Sequence, residues 1–398
     1  MIQASLDKIR VLHVWDTKMD SGLNIDDLLE STPLIQRAVV RVLVGQGDAK
    51  PMDRRNQHAI ESILSPYPAN PILRLISKFR FRLLLESEIK NFMPDVVIFH
   101  FGQTAATYIK LAKRFRLPFL VAIYGHDISV ALNQVRWQLK YKIFAKSDGI
   151  FLVLAEDVKQ RLMELKVNET SIKLFNYPID ITPYLNPSKI QSSSAFRLTI
   201  PGRLVEKKGH IFLFEAIKML NKNNRLTLLN VVGYGGDAEY YKRLAIHLGV
   251  NDQVTWIDTT EATIKGSFDQ LYRQVLEETD LVVLPCITSS EGDNEAGPAL
   301  VLCLAQASGT PVLTTPFKGH EISINDGVTG LLSAEGDSNS LAKMIEWAIE
   351  NPVELSVIAK NGEVFVRNLF DQATSINYLF ELIRESTTHS SQNHNKSD

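Results

Sequence analysis

Two cations bracket a short turn in IPGRLVEKKGH, residues 200–210, where Arg203 and Lys208 follow a β-branched run and precede the helical stretch IFLFEAIKML. A guanidinium grips phosphate oxygens in pairs, an ammonium acts as a mobile point charge, and the N-terminus of the following helix adds roughly half a positive charge. Together with Gly202 at the strand end, this turn suits a diphosphate. A pair of solvated loop cations is the plain alternative.

A carboxylate stands at a second such position. In SSEGDNEAGPALVLCLAQASGTPVL, residues 289–313, Glu295 precedes a helix that Pro298 opens and Gly309 closes. The amides near Ala296, Gly297 and Ala299 are then free to point at a ligand, and Glu295 can accept hydrogen bonds from sugar hydroxyls. A third feature, GYGGDA at 233–238 with Asp258 ending the next strand, has the outline of a dinucleotide fingerprint. It follows the second strand of its half rather than the first, where the basic turn already lies. Gly233 and Gly235 are therefore counted with the basic turn as ligand-binding candidates.

In the first half, Gly22 of WDTKMDSGLN follows the first strand, His100 ends DVVIFH, and YGHD brings Tyr124, His126 and Asp127 to the end of the next strand. These five are the first-half candidates. No Asp-x-Asp occurs, so a metal held by that pair is not expected, nor is a cofactor.

The elements that must position these residues are short β-branched runs separated by longer segments of helical period, the pattern of parallel sheets covered on both faces. Runs at 9–15, 39–44, 95–100, 118–125, 149–155 and 171–177 form one set; 196–202, 226–233, 254–258, 280–285, 310–315 and 329–333 form another. The expected fold class is α/β, with two doubly wound Rossmann-like domains facing a central cleft. Expected boundaries are 1–187, a polar linker at 188–195, 196–368, a helix at 369–386 packing back on the first domain, and a disordered tail at 387–398.

Bulk properties narrow the function. The 398 residues are 45% hydrophobic and 22% charged, as in globular proteins, and the only cysteines, Cys286 and Cys303, lie in apolar runs, which excludes a disulfide scaffold. No apolar stretch reaches the ~18 residues of a membrane span, and no signal segment is evident, so a cytoplasmic protein is expected. A net charge of −2 gives no footprint for nucleic acid. Residues 1–187 nevertheless hold 25 Lys and Arg against 19 Asp and Glu, and the remainder holds 18 against 26. The basic excess sits at 74–90, 110–116 and 136–146, interleaved with apolar residues, which suits peripheral contact with an anionic membrane surface as well as plain solvated faces.

Taken in order, these second-half residues resemble the retaining glycosyltransferases of the GT-B fold, family 4 (glycosyl transferases group 1). IPGRLVEKKGH resembles the family's G-R-x-x-x-x-K-G turn, and GDNEAGPALV with LAQASGTPVLTTPFKGHEISINDGVTGLL resembles its donor-site loop, helix and strand. In the first half the likeness rests on the first strand with its glycine, PDVVIFHFG and YGHD. The resemblance implies retaining, metal-independent hexosyl transfer from a nucleotide diphosphate sugar, in cell-surface polysaccharide biosynthesis. Arg203 and Lys208 would hold the diphosphate, and Glu295 with the neighbouring amides the sugar. The first domain would take a glycan or lipid-linked acceptor at the inner face of the membrane.

Three positions depart from the family pattern. A second Glu is expected eight residues after the first, but position 303 is Cys, and the alternative register puts Leu304 there. The lost charge-assisted hydrogen bond to ribose would weaken donor binding by about 1.5–3 kcal/mol. Tyr124 replaces the His of H-G-x-D, and Gly22 stands where a glycine pair is usual. A catalytically silent homologue acting as a subunit or regulator is the alternative in another class.

Overall fold

The structure, a computed structural model, describes residues 9–15, 35–42, 58–62 and 71–394, apart from 125–127, 129–131, 133, 177–179, 186–194, 224–225 and 294–298. The chain divides into two compact units, Met1–Ile179 with Asp371–Asp398, and Asp180–Phe370. The division thus falls ahead of the segment 188–195, and residues 188–194 lie outside those described.

The first unit contains β1 (Ile9–Trp15), β2 (Ile35–Val42), β3 (His58–Ser62), α1 (Pro71–Phe92), β4 (Val96–His100), α2 (Gly102–Arg114), β5 (Phe119–Ile123), α3 (Val135–Tyr141), β6 (Ile150–Val153), α4 (Glu156–Glu164) and β7 (Ile172–Leu174). Its strands pair in parallel in the order β3-β2-β1-β4-β5-β6-β7. β3 was not among the runs read from sequence, since HAIES offers one β-branched residue and weak alternation. The helix α2 follows its apolar spacing: Ala105, Tyr108, Ile109 and Ala112 recur at helical intervals and are buried.

The second unit contains β8 (Phe196–Pro201), α5 (His210–Lys222), β9 (Thr227–Val232), α6 (Ala238–Leu248), β10 (Val254–Ile257), α7 (Thr260–Lys265), α8 (Phe268–Glu277), β11 (Leu281–Leu284), α9 (Leu300–Ala307), β12 (Val312–Thr314), β13 (Leu331–Leu332), α10 (Ser338–Glu350) and α11 (Pro352–Leu369). Its sheet runs β10-β9-β8-β11-β12-β13. In both sheets the order reverses beside the first strand, between β1 and β4 and between β8 and β11. Open parallel sheets bind ligands at such switch points, beyond the carboxyl ends of the strands.

The final helix, α12 (Gln372–His394), belongs to the first unit. Its Leu379, Leu382 and Ile383 pack on one face of the first sheet, against alternate strand residues that include Val11, Val96, Ile98, Leu120, Ile150 and Leu152. α12 runs on to His394, so 387–394 are helical rather than the coil read from their polar composition. Ile383→Val is expected to cost about 0.5–1.5 kcal/mol, measured as a shift in urea midpoint.

Candidate functional site

At the switch point of the second unit, the chain leaves β8 through Gly202 and Arg203 and turns through a 3-10 segment, Glu206–Lys208, into α5. Gly202 has φ 133° and Gly209 has φ 68°, both in the region that favours glycine. A Cβ on Gly209 would come within 1.9 Å of the Pro285 carbonyl, so this glycine also lets the end of β11 lie against the turn. Arg203 is exposed, whereas Lys208 is 9% exposed, and its Cε lies 3.5 Å from where a Cβ of residue 202 would stand. The lysine's stem is laid over the glycine, and its charge is confined to this corner.

The glycine turn after β9 packs on the same knot. A Cβ on Gly233 would come within 1.8 Å of the Gly202 carbonyl, and one on Gly235 within 2.4 Å of the Leu204 carbonyl. The Leu204 amide donates to the Tyr234 carbonyl and the Asp237 amide to the Leu204 carbonyl. These glycines thus give room to the unit's own backbone, where a dinucleotide fingerprint would give it to a pyrophosphate. Asp258 is likewise engaged locally, accepting the Thr260 amide at 2.7 Å, and its pKa is lowered chiefly by hydrogen bonding to Thr260.

The loop after β11 is tied to this turn by contacts that sequence spacing did not reveal. The Ile287 amide donates to the Lys207 carbonyl, Ser290 donates its amide and hydroxyl to Glu206, and buried Lys207 pairs with Asp293 at 3.1 Å. Lys207, which looks like a second phosphate cation, therefore anchors the loop, and the Asp293 carboxylate is engaged within it. The signal that finds this pair is the adjacency of β8 and β11, which no local motif carries.

That loop leads into α9, whose N-cap, Ala299, has no capping side chain. Tyr272 of α8 donates its hydroxyl to the Val301 carbonyl at 2.9 Å, fixing the first turn. Glu295, Ala296, Gly297 and Pro298 lie outside the described residues. Cys303 is wholly buried, and burial pushes its thiol up to about 12; Leu304 is 6% exposed. Neither register for the absent acid gives it a solvent-facing place on α9.

At the switch point of the first unit, β1 and β4 set Trp15 opposite His100. The two rings stack at 3.7 Å with planes 6° apart. Both nitrogens of His100 are engaged, Nε2 with His13 Nδ1 at 3.0 Å and Nδ1 with the Tyr124 hydroxyl at 2.8 Å. His13 and His100 are fully buried, and Tyr124 is half-buried. With neutral imidazoles the chain has two consistent polarities, Tyr124 donating to His100 and His100 to His13, or the reverse. Phe101, at φ 69°, packs against Trp15 and Tyr124, a backbone strain that the aromatic cluster holds in place.

Among the acceptor-side candidates, the structure thus brings His100 and Tyr124 together and adds His13 and Trp15, which a strand pattern reads only as interior residues. Gly22, His126 and Asp127 lie outside the described residues.

Residues 188–365 match the family model described as glycosyl transferases group 1. The putative colanic acid biosynthesis glycosyltransferase WcaL of Salmonella typhimurium is 26% identical over 71% of this chain and 68% of its own length. The amylovoran biosynthesis glycosyltransferase AmsK of Erwinia amylovora is 24% identical over 77% of this chain and 74% of its own. Among solved structures, sucrose-phosphate synthase from Thermosynechococcus elongatus superposes with a TM-score of 0.77 at 15% identity, covering 94% of this chain and 98% of that one. Anabaena HepE, solved with UDP-glucose, gives 0.72 at 17%, covering 95% and 100%. The fold class is GT-B, built of two Rossmann-like α/β units. No helix among the described residues is long and apolar enough to cross a membrane.

Proposed function

We propose that this protein is a glycosyltransferase that moves a hexose from a nucleotide diphosphate sugar to a glycan or lipid-linked acceptor, with retention, in cell-surface polysaccharide synthesis. The observation that carries the reading is the cationic turn Gly202–Lys208, locked to the β11 loop at a switch point and lying inside the segment that matches the family model. The names of WcaL and AmsK support the polysaccharide context, and UDP-glucose in HepE supports the donor class.

In this reading Arg203 and Lys208 neutralise the leaving diphosphate, helped by the N-terminus of α9 and by the amides of Ala296, Gly297 and Ala299. Glu295 holds the sugar ring. An oxocarbenium-like transition state needs charge neutralised on the leaving oxygens, a task these groups perform without a metal. On the acceptor side Tyr124 presents the hydroxyl, and His100 with His13 orients it from below. Gly22, His126 and Asp127 complete that side. The protein would act in the cytoplasm, at the inner membrane surface when the acceptor is lipid-linked.

A thermal-shift panel of UDP-, GDP- and ADP-sugars identifies the donor, because a ligand that binds only the folded state raises its melting temperature. Lys208→Ala is expected to weaken that donor by about ten- to a hundredfold in calorimetry, the loss of one charge-assisted contact. Donor binding without transfer to any acceptor would favour the silent homologue. Failure of every nucleotide sugar to bind would overturn the transferase reading.

A further inference from the structure

We infer that the outer face of α1, α2 and α3 is a docking surface for an anionic lipid bilayer. The three helices form one layer: Phe81 of α1 packs on Tyr108 of α2 at 5.0 Å, Arg114 of α2 pairs with Glu86 of α1, and Tyr141 of α3 lies beneath Gly102 of α2. α1 buries Phe81, Leu85, Ile89 and Phe92 toward the unit. Its opposite stripe exposes Ile76, Phe79 and Leu83 to 48%, 59% and 51%, residues at helical spacing that a solvated helix would make polar. On α3, Val135 and Leu139 are 67% and 60% exposed.

The charge on this layer has one sign. Exposed Arg80, Lys90, Lys113, Arg114, Arg136 and Lys140 face solvent across the three helices. Their only carboxylates are Glu88, which is buried, and Glu86, which is held by Lys90 and Arg114. On α3 the Lys140 ammonium and the Arg136 guanidinium lie 4.6 and 5.6 Å from the Trp137 ring centre, beside the exposed Leu139. Apolar side chains between snorkelling cations fit the boundary between acyl chains and acidic headgroups. A nucleic acid backbone would match the charge but would leave the exposed Ile, Leu and Val side chains without use.

The inference stands on these helices alone; the transferase reading contributes only the reason for visiting a membrane, a lipid-linked acceptor. The test is cosedimentation of the full chain with phosphatidylglycerol–phosphatidylcholine vesicles and with pure phosphatidylcholine vesicles. Binding is expected only to the anionic vesicles, weakening as salt rises. Arg80→Glu/Lys113→Glu/Arg136→Glu should lower it by about a hundredfold or more, each cation near such a surface contributing to affinity. Phe79→Ser/Leu83→Ser/Leu139→Ser should lower it by at least about tenfold.

Both triple variants change exposed positions, so unaltered melting curves and unaltered calorimetric titration with UDP-glucose separate a failed docking surface from a failed donor site. Equal binding to both vesicle types would overturn the proposal. So would an apolar variant that binds vesicles like the parent while RNA oligonucleotides compete for the cationic face.

Discussion

Cys303→Glu, the change that introduces the second acid of the glycosyltransferase pattern this segment resembles, is expected to destabilise the second unit by about 3–5 kcal/mol rather than create a ligand contact. The thiol lies fully buried on α9, with Tyr272 and Ser323 for neighbours. A carboxylate placed there would have to leave water beside the uncharged Tyr272 and Ser323, and the three heavy atoms that Glu adds over Cys would press on a filled core. For a unit of this size the melting point should fall by about 6–20 °C, which differential scanning calorimetry reads directly. A folded variant with higher affinity for the nucleotide sugar picked out by the thermal-shift panel would show that position 303 faces the ligand and would reverse this account of α9.

The second large effect concerns acid. His210, first residue of α5, is fully buried against the Tyr241 ring at 4.7 Å, and neither ring nitrogen has a hydrogen-bond partner among the described residues. Burial, and secondarily the Lys208 charge, lower its pKa to about 3. In the unfolded chain the same ring takes up a proton near its ordinary value of 6.5. Above that pH both states are neutral at this position and nothing is lost. As pH falls below it, the unfolded state gains protons that the folded state refuses, and stability declines by about 1.4 kcal/mol per pH unit until the folded ring also titrates.

Between pH 6.5 and 4 the penalty should reach about 3 kcal/mol. His210→Phe, which keeps an aromatic ring against Tyr241, should flatten that decline in urea midpoints taken across the range. Carboxylates with lowered pKa values, Glu239 and Asp258 among them, add their own acid sensitivity, so the difference between parent and variant is the informative quantity. Parallel curves for the two proteins would refute the role given to His210.

The strands were legible in the sequence because a sheet covered on both faces needs continuous apolar runs, and those of β4, β8 and β11 admit little else. The turn at 202–208 was legible because its spacing is local. What escaped depended on strands meeting. Lys207 finds Asp293 only because β8 lies beside β11, and His13 finds His100 only because β1 lies beside β4. The end of α12 escaped for a different reason. TTHSSQNH has no apolar residue to announce a helix, yet extending an existing helix costs far less than starting one.

The return of α12 to the first sheet has a consequence for biosynthesis. The face it covers is completed by residues made after the entire second unit, so during translation that sheet waits with its apolar side open. At about 5–20 residues per second the interval is roughly 10–40 s, ample time for aggregation or chaperone capture. The second unit is continuous in the chain and can close as it emerges. The nascent protein should therefore mature in reverse, its second unit first, with the first sheet sealed only once α12 has cleared the ribosome.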